Sequence, residues 1–140
     1  MLTTLNRYLD APDLGKFILR VSFAAMMLLH GWHKITHGID GIFNMLTAHG
    51  LPTVIGYGVY LGEVVAPVLL ILGVLTRISA ILMLGTMIFA WALAGTALTF
   101  TLTKVGAWGI EHMMVYFFAS LAIIFLGCGR YSVMTNPNWR

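Results

Sequence analysis

The sequence predicts an all-α membrane protein: a bundle of four transmembrane helices with a short interfacial helix between helices 1 and 2. Three observations predict it. Only 9% of the 140 residues are charged and 59% are hydrophobic, against about 25% charged in soluble domains. Mean hydropathy is +0.90. Four apolar stretches each approach the ~20 residues that a helix needs to cross a bilayer. A soluble domain has too small an interior for this much apolar surface, so lipid is the expected solvent. The length fits a single domain, residues 1–140.

The first apolar stretch covers about residues 14–35, the second 54–75, the third 78–100 and the fourth 111–128. The third carries no ionisable group, so it is expected to face lipid or to pack through Ala90 and Ala94. Thr76 and Arg77 read as the hairpin between the second and third helices. The longer link, 36–53, places Ile39, Ile42, Phe43 and Leu46 at i, i+3, i+4 and i+7, an amphipathic helix. Asp40 is expected to cap it, and Gly50 and Pro52 to end it. It is expected to lie in the interface and lid the bundle. No cleavable leader is expected, because the first 16 residues are mixed in charge and the following apolar run contains Arg20.

Lys and Arg concentrate on the cytoplasmic face of membrane proteins. With four spans, Arg7, Lys16, Arg20, Arg77, Arg130 and Arg140 share a face with both termini, and only Lys34 and Lys104 lie on the other. Both termini are therefore expected in the cytoplasm. The formal charge of +3 says little about nucleic acid in such a chain, and no nucleic-acid partner is expected. The single cysteine, Cys128, can form neither an internal disulfide nor a dithiol redox pair.

Ionisable groups at membrane depth are costly and mark candidate sites. Glu63 lies near the middle of the second stretch, roughly 14 Å below its outer end at about 1.5 Å per residue. Arg20, Met27 and Lys34 recur every seven residues on the first helix, and His30 lies within about 40° of Lys34. Glu111 and His112 open the fourth helix near the depth of Lys34. A polar column of Arg20, His30, Lys34, Glu63, Glu111 and His112, open to the outer face, is the expected site. Glu63 and His30 are its candidate proton-exchanging residues, and Arg20, Lys34, Glu111, His112 and Tyr60 its candidate ligand-binding residues. The bland alternative is that buried ion pairs only fix helix register.

Gly58 and Gly62 form a GxxxG pair, with Gly56 close by. Small residues of this kind chiefly let helix backbones approach closely. The alternative is a gap beside Glu63, bordered by Tyr57 and Tyr60, that holds water or a flat ring. Pro67, one turn beyond Glu63, frees a backbone carbonyl and permits a kink.

The stretch "HGWHKITHG" places His30, His33 and His37 at i, i+3 and i+7. Imidazoles suit zinc, copper or haem iron. Gly38 is expected to fray the helix near His37, and Lys34 would repel a cation, so no metal site is assigned. His33, His37 and Trp32 are expected at the membrane rim, and Trp108 in the outer aromatic belt.

The order Arg20, "HGWHK", "HGLP", "LGE", "LGVLTR", an acidic start to the fourth helix and "GCGRYS" resembles the DoxX family of small four-helix bacterial and archaeal membrane proteins. The resemblance covers nearly the whole chain. It implies residence in the bacterial inner membrane and a link to quinone, thiol and oxidative-stress chemistry. It points to Arg20, His30, Lys34, Glu63, Arg77 and Glu111. Many relatives continue the last motif into an acidic residue, whereas Val133 and Met134 follow Ser132 here, which weakens an inner-face pairing with Arg77.

Two classes of function follow. In the first, the chain is a membrane subunit of a redox system and binds a quinone or small molecule beside Glu63. With no flavin, nicotinamide or iron–sulfur motif, its electrons would come from a soluble partner or from the ligand. In the second, it is a homo-oligomeric transporter or channel with Glu63 as proton-coupling group. A membrane scaffold for a soluble enzyme is a third reading.

Overall fold

A computed structural model describes residues 2–140, and about three quarters of them are helical, with no named strand among them. Helix α1 spans Leu2–Leu9, α2 Pro12–His37 and α3 Asp40–Ala48. Helix α4 spans Thr53–Leu72 and α5 Thr76–Leu98. Helix α6 spans Glu111–Leu126. By length and composition, α2, α4 and α5 can each cross a membrane, and α6 is apolar but shorter, at 16 residues.

The four apolar helices form a closed ring in which α2 packs on α4, α4 on α5, α5 on α6 and α6 on α2. Each sends one helical stripe inward. On α2 the stripe is Arg20, Ala24, Met27 and Gly31. On α5 it is Thr76, Ser79, Ala80, Met83 and Met87. Leu70 and Ile123 complete the core from α4 and α6. Large apolar side chains such as Leu29, Ile78, Phe118 and Phe125 point outward. That inversion, with Arg20, Glu63 and three hydroxyls buried inside, is what a lipid solvent selects.

Two helices are irregular. Helix α4 opens as a 3₁₀ helix over Thr53–Gly58, passes through a π-helical turn at Leu61–Val65 and ends as α-helix over Ala66–Leu72. Pro67 has no N–H to give the Glu63 carbonyl four residues before it, which accounts for the disturbance there. Helix α5 carries a second π turn at Trp91–Gly95.

Several expectations are corrected. The hairpin between α4 and α5 is Gly73–Leu75, with both Gly73 and Leu75 at positive φ, and Thr76 and Arg77 already belong to α5. Asp40 does not cap α3. Ile39 holds the cap position without a side-chain bond, and Asp40 sits inside the first turn, where its charge complements the helix dipole. Helix α2 does not fray before His37; it ends at Gly38, whose N–H bonds back to the Lys34 carbonyl. On α5, Ala90 and Ala94 border a cavity, while Ala80, Met83 and Met87 supply the packing.

Candidate functional site

The site begins at a close approach between α2 and α4. Gly31 lies against the Glu63 backbone, so near that a Cβ at this position would overlap the Glu63 carbonyl. No other residue type allows this separation. One turn further along α2 stands Lys34, and helical side chains lean toward the N-terminus. Its ammonium therefore reaches back to Glu63 and donates to both carboxylate oxygens. Glu63 is 4% exposed. Burying a carboxylate costs desolvation energy that a paired cation offsets, and Lys34 is the cation paired with it. The Tyr60 hydroxyl donates to the Lys34 carbonyl at 3.2 Å, tying the end of α2 to α4.

Beside this pair lies a cavity of about 510 Å³, within the range of small-molecule sites. Its walls are mainly aliphatic, with Phe89 as the aromatic member and Lys34, Glu63 and Thr86 as the polar ones. Helix α3 closes one end through Ile42 and Met45, and Met113 borders it from α6. The two glycines of the GxxxG pair have different roles. Gly62 packs on Thr86 of α5, where a Cβ would overlap the threonine side chain, whereas Gly58 faces open space along the cavity wall. Tyr57 packs edge-on to Phe43, and neither it nor Tyr60 borders the cavity.

The remaining members of the expected column lie elsewhere. His30 is exposed, with Nδ1 3.0 Å from the Met26 carbonyl and its ring edge-on to Tyr116 of α6. It sits about 40° further round α2 than Lys34, on the α6 side, and an imidazole is too short to return to the α2–α4 seam. Glu111 is exposed and accepts the Trp108 N–H at 3.2 Å, closing the start of its own helix. His112 is also exposed. His33 and His37 stack with ring centroids 4.1 Å apart on the surface of α2. Among the described residues, no three His, Cys, Asp or Glu side chains converge as a metal site.

Arg20 builds a separate structure at the opposite end of the bundle. It is 1% exposed and donates to the carbonyls of Leu70, at 2.5 Å, and of Tyr131. The last carbonyls of a helix have no intrahelical donor, so the guanidinium caps α4 and fastens residues 127–132 to it. Ser132 adds a hydrogen bond to the Gly73 carbonyl at 2.8 Å. Arg77 does the same for α6, donating from Nε to the Ile124 carbonyl at 2.9 Å.

Sequence reasoning missed Thr86, Gly85, Phe89 and Met113. The first two are the only hint available in advance, as a small and a polar residue in an otherwise aliphatic stretch.

No curated protein and no solved structure matches the chain. The sequence profile of one family, described as DoxX, matches residues 15–96. That segment is more than half of the 140 residues and contains Arg20, Lys34, Glu63, the cavity-lining face of α5 and the whole α2–α4 contact. The chain is an integral membrane protein of the DoxX family.

Proposed function

We propose that the chain is the membrane subunit of a redox or oxidative-stress system and binds a quinone, or a small molecule like it, beside Lys34 and Glu63. One observation carries the proposal: an ion pair between buried Glu63 and partly exposed Lys34 stands at the edge of a mostly apolar cavity large enough for such a ligand. A quinone ring needs an apolar slot, a donor to a carbonyl oxygen and a source of protons. Phe89 and the aliphatic walls supply the first, and the Lys34 ammonium the second. Glu63 and Lys34 together hold and release protons at Oε and Nζ. Electrons come from a partner protein or from the ligand.

The proposal assigns α6 as a fourth span and places both termini in the cytoplasm of a bacterial inner membrane. What supports this is the six-to-two division of Lys and Arg between the faces. It also gives His30, exposed at the Lys34 end, the task of exchanging protons with water. Glu111 and His112 then form the outer rim.

Titration of a benzoquinone into protein purified in lipid nanodiscs tests the proposal. Glu63→Gln and Lys34→Met are each expected to weaken binding at least tenfold. Equal affinity in wild type and both variants sinks it.

A further inference from the structure

We infer that the cavity is a lipid-facing slot that takes the hydrocarbon tail of a membrane-dissolved amphiphile whose polar head meets Lys34 and Glu63. This rests on the proposed site and adds the class of ligand and its route of entry.

The shape comes from α5. The cavity-lining residues of that helix are 81, 82, 85, 86, 89, 90, 93 and 94, spacings of one, three, one, three, one, three and one. They form one unbroken stripe, about 20 Å long at 1.5 Å per residue. A round pocket would touch one or two turns; this one follows more than three. The polar groups Lys34, Glu63 and Thr86 meet it at one level, since Gly62, next to Glu63, packs on Thr86. The remainder of the stripe is apolar. A charged head site on a long apolar track complements a head-and-tail molecule.

The opening is set by glycines. Gly58 on α4 and Gly85 on α5 both line the track, both are exposed, and a Cβ at either would meet nothing within 4 Å. Ile55, Leu61 and Ile81 along the same track are exposed too. The exposed flank of an apolar helix in this protein faces acyl chains, so a ligand enters sideways from the bilayer. Both π-helical turns, Leu61–Val65 and Trp91–Gly95, contribute to the track. Such turns bulge a helix locally, and here they widen the seam between α4 and α5.

A decyl-tailed benzoquinone with a diazirine at the tail end tests this in nanodiscs. After photolysis, adducts are expected on Phe89, Leu93 or Ala94, competed by excess unlabelled decylbenzoquinone and reduced at least tenfold in Glu63→Gln. Gly85→Leu and Gly58→Leu put a side chain into the track at positions where the Cβ itself meets nothing within 4 Å. Each is expected to remove these adducts while leaving the melting temperature within a few degrees of wild type. Competable, Glu63-dependent adducts on another face, for example on Phe118 or Phe125, overturn the slot and leave the head site standing. A second copy of the chain seated in the seam gives that same result. Adducts indifferent to competitor and to Glu63→Gln overturn both the slot and the proposed site.

Discussion

Gly31 and Glu63 touch through their backbones, and that contact brings Lys34 within reach of the Glu63 carboxylate. The glycine sets the α2–α4 separation, and the lysine one turn on uses it. Gly31→Val is expected to push the helices apart and destabilise the protein by about 1–3 kcal/mol, the usual cost of overpacking. Gly41→Val, at a glycine with open space around it, serves as the control. Thermal unfolding in detergent compares the two, and equal melting temperatures would remove the contact's importance.

The ion pair itself is best read by a double-mutant cycle. Glu63 is buried and Lys34 partly exposed. Removing Lys34 alone strands a buried carboxylate, a loss of about 3 kcal/mol, whereas replacing both partners with apolar groups is far milder. The order expected is Lys34→Met less stable than Lys34→Met with Glu63→Leu. The reverse order in chemical unfolding would mean that solvent, not Lys34, compensates Glu63.

How far the sequence already disclosed this site follows from which interactions are local. The helices were legible because hydropathy and period depend on neighbours in the chain. Glu63 was legible because a carboxylate within an apolar stretch is unusual wherever it packs. Its partner was narrowed to one face of α2, but His30 and Lys34 differ there by only about 40°, and the choice turned on Gly31 and on side-chain length. Arg20 was legible as a charge on the face of the termini, but its partners were not. Nothing local to "GCGRYS" indicates that it folds back over the end of α4, so the carbonyls that Arg20 caps could not be foreseen. The cavity was hidden because empty space has no sequence signature beyond small residues, and Gly58 and Gly62 look alike until α5 is in place.

The Arg20 clamp predicts a local effect. Its planar fork serves two carbonyls on different segments, Leu70 and Tyr131, and a lysine ammonium is a point charge without that fork. Arg20→Lys is expected to leave the bundle folded but loosen residues 127–140. Hydrogen exchange should show faster exchange at Val133 and Leu75, whose N–H groups bond to Leu72 and Trp139 across this junction. Exchange unchanged at both amides would mean that the tail docks without the arginine.

The two glycines of the GxxxG pair offer the sharpest contrast. Gly62 rests on Thr86, and Gly58 faces open space. Gly62→Ala forces the threonine side chain aside, with an expected loss of about 1–3 kcal/mol. Gly58→Ala meets nothing and relieves glycine's entropic cost in a helix, so a gain of at most about 1 kcal/mol is expected. The Thr86 hydroxyl already bonds to the Leu82 carbonyl at 3.0 Å, so the side chain cannot swing away without losing that bond. Thr86→Ala removes the hydroxyl and methyl but keeps the Cβ, 2.6 Å from the added methyl, so it should rescue part of the Gly62→Ala defect and none of any Gly58→Ala effect. A symmetric pair of losses at Gly58 and Gly62, with no rescue, would mean that both glycines serve helix association and that the space beside Gly58 is closed in the membrane.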